Sequence, residues 1–262
     1  MKTVLGRKQS TDNERWLEAV ANIEQLVSEN ELAEAVATAF ADIKRVTQGK
    51  HVAYAWSGGK DSLIVAHMCA ALGITDSVFG HCELEYPAFL KWCMENKPEG
   101  CEVINTGQDI DWLARRPAML FPTSSAVVSR WFELVQKTAI RRYCRAKKLD
   151  MIIVGHRKAD GNYVGKGTNI CSNSAGVTRY SPLGNWKHEL ALAYIHYNKI
   201  PMPPIYGWKD GYRLGTHPWP SRMHTNSIDE GWADVYGIDP SIVKQAAVKI
   251  ESAARYLEGV GA

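Results

Sequence analysis

The stretch Tyr54-Ala-Trp-Ser57-Gly58-Gly59-Lys60-Asp61-Ser62-Leu63 decides how the rest of the chain is read. A β-rich run, His51 to Trp56, leads into it, and an apolar run, Leu63 to Leu72, leaves it at helical spacing and stops at Gly73. A strand handing over to a helix through two glycines lets the backbone approach a ligand where a Cβ would block it. The first helical turn supplies unpaired N–H groups and the positive end of the helix dipole, which favours an anion. Ser57 and Ser62 add hydroxyls, and Lys60 adds a point charge suited to phosphate. Asp61 repels phosphate; it fits holding Mg²⁺, orienting Lys60 or capping the helix. The Walker A pattern needs a glycine where Tyr54 stands, so this is a different phosphate loop. A chance glycine turn capped by Ser or Asp is the plainer reading, and the run Lys-Asp-Ser after the two glycines argues against it.

Downstream, strands alternate with helices. Ser77–Cys82, Glu102–Asn105, Met151–Val154 and Val177–Tyr180 read as strands. Ala88–Asn96, Asp109–Arg116, the long run Ser124–Lys148 and Trp186–Asn198 read as helices. That alternation predicts an α/β fold with a doubly wound, mostly parallel sheet. Upstream, Trp16, Val20, Ile23 and Val27 form one helical stripe, and Leu32, Val36, Phe40 and Ile43 form a second. Residues 1–48 are thus an N-terminal helical extension, 49–225 the nucleotide-binding domain, and 226–262 a C-terminal helical extension. Residues 156–176 and 200–222 are rich in glycine or proline, the texture of functional loops.

Composition narrows the class. Of 262 residues, 45% are hydrophobic and 23% charged, which excludes disorder as the main state. No apolar run reaches the ~18 residues that span a bilayer, and no signal-peptide pattern follows the basic start. The expectation is a cytoplasmic protein without a membrane partner. The net charge of +3 is too mild to indicate nucleic acid by itself, and a homo-oligomer is left open. The six cysteines, Cys69, Cys82, Cys93, Cys101, Cys144 and Cys171, include no C-x-x-C pair, so neither a zinc finger nor a thioredoxin-like motif is expected; spacing leaves a cluster of distant cysteines open, and apolar filling is the default.

Ser57-Gly-Gly-Lys-Asp-Ser62 resembles the PP-loop of the ATP-pyrophosphatase, or adenine nucleotide α-hydrolase-like (HUP), superfamily. The resemblance implies a parallel sheet with this loop after the first strand, ATP and Mg²⁺ as cofactors, and cleavage of ATP between the α and β phosphates. Tyr180-Ser-Pro182-Leu-Gly-Asn-Trp186, Tyr194, Ile200-Pro201, Pro204-Ile-Tyr206 and Gly211-Tyr212 are similar to the second half of the phosphoadenosine phosphosulfate (PAPS) reductase-like branch. Ile153-Val-Gly155-His-Arg157, with Asp160, falls where that branch has a nucleotide-contacting Gly-x-Arg loop. The match runs from about His51 to Met223.

The departures from that branch concern cysteine, and they imply that no iron–sulfur cluster is expected. No cysteine follows Cys171, where reductases of this kind carry a nucleophile. Gly215-Thr-His-Pro-Trp-Pro220 has Thr and Trp where related proteins have a Cys pair, and Arg130-Trp131 is followed by Phe132-Glu133. With Lys60 and Asp61 kept, the expected function is ATP-dependent nucleotidyl transfer to an unidentified acceptor. The alternatives are a sulfonucleotide reductase using an external thiol, and a non-catalytic nucleotide-binding subunit of a nucleic-acid modification system. Lys60, Asp61 and Arg157 are the expected catalytic residues. Ser57 to Ser62, Gly155 and Arg157 are expected to bind nucleotide, and Asp61 to bind Mg²⁺.

Further candidates follow from position at the carboxyl ends of strands, where open α/β sheets bind ligands. Glu83 or Glu85 after the second strand, and Lys158 after the fourth, are candidate substrate contacts, as are Lys166, in a glycine-flanked loop that could fold over phosphate, and, by the resemblance, Lys137. His156, His217 and His224 are candidate acid–base groups, although none has metal-ligand spacing. Trp208, Trp219 and Trp232 fit stacking on a base, but packing is the plainer reading.

Overall fold

The computed structural model describes residues 1–172, 177–222 and 227–261. Five strands run parallel: β1 (Val52–Trp56), β2 (Ser77–His81), β3 (Glu102–Asn105), β4 (Met151–Ile153) and, last in sequence, Thr178–Tyr180. A short antiparallel strand, β5 (Ile170–Ser172), precedes that last strand, β6, and pairs with it. The order across the sheet is β3-β2-β1-β4-β6-β5. Because β1 lies between β2 and β4, the connections leave it in opposite directions. The crevice for a ligand therefore opens where the loops after β1 and β4 diverge.

Before β1 come α1 (Asn13–Ala21), α2 (Ile23–Leu26) and α3 (Glu29–Thr47). The first apolar stripe, read as one helix, is broken at Asn22, whose side-chain amide and backbone N–H both donate to the Glu18 carbonyl. Ser28 and Glu31 form a reciprocal capping box at the start of α3. Next come α4 (Lys60–Ala71), α5 (Pro87–Asn96) and α6 (Ile110–Ala114), alternating with strands as the sequence predicts.

The predicted long helix 124–148 is α7 (Ser125–Phe132) and α8 (Thr138–Lys147), joined by a π-helical turn at Glu133–Lys137. After β6 follow α9 (His188–Tyr197), α10 (Gly211–Leu214), α11 (Ile228–Ile238), α12 (Pro240–Ala247) and α13 (Glu251–Val260).

Strand side chains alternate between two cores, as a pleated strand requires. Tyr54, Trp56, Phe79, Met151 and Ile153 face the larger core, which also contains Leu5, Trp16, Ile43, Trp232 and Val243. Residues from the N-terminal, central and C-terminal segments thus share one continuous core. On the other face Ala53, Val78, Ile152 and Val154 meet Tyr143 and Cys144 of α8. There α8 lies so close to β2 that a Cβ on Gly80 would sit 2.4 Å from that of Ala139. Strand β5 is not legible in the pattern. It forms because Gly165, at φ +98, lets the chain fold back until a Cβ there would touch the Ile170 carbonyl.

Candidate functional site

A cavity of about 740 Å³ opens at the carboxyl edge of β1, β2 and β4, in the size range of small-molecule pockets. Its floor is the 57–62 loop. Gly58, at φ +67, turns its bare Cα toward Cys93 and Phe89, where a Cβ would come within 2.6 Å of Sγ. The Ser62 hydroxyl accepts from the Ser57 N–H at 3.0 Å and donates to the Gly59 carbonyl at 2.8 Å, so it ties the turn shut. The Lys60 N–H donates to the Tyr206 hydroxyl at 2.8 Å, which fixes the start of α4 against the 204–207 turn.

Behind the floor lies a buried ion network. The Lys60 amine pairs with Asp61 at 2.7 Å and lies 3.7 Å from Asp160. Arg157, 0% exposed, pairs through Nε with Asp61 at 2.8 Å and through Nη2 with Asp160 at 2.9 Å. Nη2 also donates to His188 Nδ1 at 3.2 Å. Burial alone would raise the Asp61 carboxyl, but Arg157 and Lys60 overrule it and hold it well below the usual carboxylate range. Burial, and then Arg157, lowers His188 to about 4, so it stays neutral and accepts. Gly155 serves the same packing: a Cβ there would lie 2.8 Å from the Asp61 backbone.

The far end of the cavity differs. Ala55, Val78, Val154, Val128, Phe132 and Ile140 make an apolar slot between the sheet and α7–α8. Beyond it lie His156, Lys137 and Arg179. Burial, with Arg179 and Lys137 adding to it, lowers His156 to about 4. The π-helical turn brings both Gln136 and Lys137 to the cavity wall, and such turns occur often at functional sites.

Of the residues expected from sequence, Ser57, Gly59, Lys60, Asp61, Ser62, Gly155 and Lys137 line the cavity. Gly58 shapes its floor from behind. Arg157 lies beneath it, engaged with two carboxylates rather than open to a ligand. Glu83, Lys158 and Lys166 are not brought there: all three are exposed, Glu83 accepts from Asn105, and Lys158 donates to Asn185.

Both Asp61 oxygens face cations. The carboxylates here are thus spent on Lys60 and Arg157, and the residues present do not make a Mg²⁺ site. Among the described residues no group of three potential ligands is arranged for a metal. His156 and His217 line the cavity, whereas His224 lies outside the described residues. Trp219 and Trp232 pack on each other in the core, and Trp208 packs on Tyr86. Sequence reasoning missed Lys8, Arg179 and Thr216, which also line the cavity. Only Asp160 and Tyr206 had a signal, inside the Gly-x-Arg and Pro-x-Tyr segments.

A strand, a glycine turn and a buried lysine at the switch point of a parallel sheet give the fold of the adenine nucleotide α-hydrolase-like class. The family model for the phosphoadenosine phosphosulfate reductase domain matches residues 51–221. The chain therefore belongs to that family.

Among solved structures, the PAPS reductase of Candida auris, a phosphate complex, is similar at 16% identity and TM-score 0.52. That match covers 74% of this chain and 96% of the reductase. The U34-tRNA thiolase NcsA of Methanococcus maripaludis, solved with its [4Fe-4S] cluster, matches at 16% identity and TM-score 0.41, over 98% of this chain and 84% of the thiolase. The NMN synthetase of Francisella tularensis matches at 12% and 0.48, over 86% of this chain and 92% of the synthetase. At 16% identity the likeness to the reductase shows the fold alone. No curated protein matches the sequence. Among the described residues no helix is long and apolar enough to cross a membrane.

Proposed function

We propose that the protein catalyses ATP-dependent nucleotidyl transfer. An acceptor oxygen attacks the α-phosphorus, the bond from the α-phosphorus to the α–β bridging oxygen breaks, and pyrophosphate leaves with that oxygen and the bond's electron pair. One observation carries this reading: the Lys60 amine is 2% exposed and fixed by Asp61 at the cavity floor, where the glycine turn receives phosphate. A cation held in place beforehand stabilises charge that develops on the leaving group. Arg157 acts one step back, keeping Asp61 and Asp160 ionised and in position. The apolar slot suits a purine base, and His156, Lys137 and Arg179 beyond it suit an anionic acceptor. Mg²⁺ would enter with the nucleotide, on phosphate oxygens and water.

Family membership also favours a sulfonucleotide ligand, and with it the external-thiol reductase reading. The lysine kept at the loop supports the first reading over it, and the cysteines speak against a thiol of the chain's own. None lines the cavity. Burial pushes the Cys69 thiol up to about 12 and that of Cys93 higher still, away from a reactive thiolate.

The test is pyrophosphate release from ATP across candidate acceptors, in parallel with PAPS plus a thiol donor. Release that Lys60→Ala abolishes supports transfer. Sulfite production from PAPS with no pyrophosphate release replaces it by the reductase, and tight ATP binding without turnover by the nucleotide-binding subunit.

A further inference from the structure

The cavity receives one cation from far outside the segment that the family model matches. Lys8 lies in a short turn, Lys8–Ser10, that packs on the 158–160 turn and on α10. Its amine lies so close to Gly215 that a Cβ there would be 2.7 Å away, and Gly215 is at φ +71, a position already suited to glycine. A Cβ on Gly59 would lie 3.2 Å from the neighbouring Thr216 hydroxyl. Lys8 therefore faces the 57–62 loop across the 215–216 turn.

The ion pairs divide the three cations of this end. Lys60 and Arg157 are paired with Asp61 and Asp160. Lys8 enters no ion pair among the described residues. Its charged neighbours cancel, Lys60 and Arg157 against Asp61 and Asp160, so the charge of Lys8 itself is in excess. An amine in that place, lining a cavity and lacking a carboxylate, has its partner supplied by a ligand.

The segment bearing it is fastened down. The Val4 and Leu5 N–H groups both donate to one Glu189 oxygen at 2.8 Å, and Glu189 is fully buried. The Asn13 side chain accepts from the Tyr212 N–H at 3.0 Å.

We infer that Lys8 is a second phosphate-binding lysine, closing on the distal phosphoryl group of the pyrophosphate moiety from the side opposite the glycine turn. This rests on the nucleotide reading of the cavity. It adds that the N-terminal extension, and not the family domain alone, completes the anion site. Burial and then Lys60 lower the Lys8 amine to about 8, with Arg157 acting the same way and Asp160 and Asp61 opposing. Arg213, which pairs with Asp210, and His217 line the same cavity. An anion bound to Lys8 raises its pKa, so binding near pH 8 takes up a proton.

The experiment is calorimetric titration of the full chain with pyrophosphate, ATP and AMP, in two buffers of different ionisation enthalpy at pH 8. Wild type, Lys8→Met, Lys8→Gln and Lys8→Arg are compared, with circular dichroism confirming the fold of each. Lys8→Met and Lys8→Gln are expected to weaken pyrophosphate and ATP by about tenfold or more, the worth of a charge-assisted hydrogen bond, and to leave AMP within about twofold. Lys8→Arg keeps the affinity and loses the proton uptake. Equal pyrophosphate affinity in wild type and a folded Lys8→Gln overturns the inference, as does an equal loss for AMP. A wild-type protein that binds neither ATP nor pyrophosphate overturns instead the nucleotide reading on which it rests.

Discussion

The two ends of the cavity solve opposite problems. At the glycine-turn end, Lys60, Asp61, Arg157 and Asp160 neutralise one another within 3.7 Å, and burial makes each depend on the others. At the far end His156, Lys137 and Arg179 gather; half-buried Glu133 pairs with Lys137, and Asp61 and Asp160 act on His156 more weakly than the two cations do. The first end is rigid because a buried charge left alone is costly. The second is adaptable because its charges are nearer water and its apolar slot makes no directional demand. A fixed end suits the invariant part of a substrate, the pyrophosphate. The adaptable end suits the part that distinguishes one acceptor from another.

Removing a partner from the fixed end gives the largest effect. Arg157→Met leaves Asp61 and Asp160 buried without their guanidinium and is expected to cost about 3–5 kcal/mol in denaturant unfolding. An unchanged unfolding midpoint would break the contrast between the ends. Gly80→Ala comes next: its methyl meets Ala139, so α8 must shift from the sheet and the far end widens. The expected cost is about 1–3 kcal/mol, with Lys60-dependent ATP binding retained.

Glu85 sharpens the contrast as a buried acid without a cation. Burial pushes its carboxyl up from 4.5 to about 8. The folded state thus keeps a proton that the unfolded state has lost, and stability falls as pH rises from about 4.5 through 8. The slope is about 1.4 kcal/mol per pH unit. Glu85→Gln is expected to remove that slope, read as the difference between wild-type and variant stability at pH 5 and pH 8. Asp61, held ionised by Arg157, gives no such loss in that window.

The smallest effect belongs to the far end. Lys137→Met removes a surface pair with Glu133, so stability moves by less than about 1 kcal/mol. It also removes one of the charges that hold His156 down. The His156 resonance, followed by NMR, is expected to titrate at higher pH in the variant than in wild type. No movement would separate Lys137 from that end of the site.

How much of this the sequence contains follows the same divide. The glycine turn is local: Ser57 to Ser62 lie on adjacent backbone, and the strand before and helix after are set by their own periodicity. The sheet was legible because alternating apolar runs of strand and helix length leave few other arrangements. The partners of Lys60 were not, since Tyr206 meets it across 146 residues only once β4 and β6 have taken their places beside β1. Arg157 shows a different limit. Its position after a strand suggested a ligand contact, but a one-dimensional pattern does not register that two acids converge on it from separate turns. The π-helical turn was hidden because one extra residue in a helix barely changes the apolar period.

Glu189 has a consequence for the order of folding. Its two bonds to Val4 and Leu5 close a loop of more than 180 residues. Such a closure is entropically expensive until most of the chain between its ends is already compact. The first dozen residues therefore dock late, onto a finished sheet and a finished α9, and by the same logic they are among the first to leave in a partial opening. Assembly of the chain and completion of its anion pocket end on the same event.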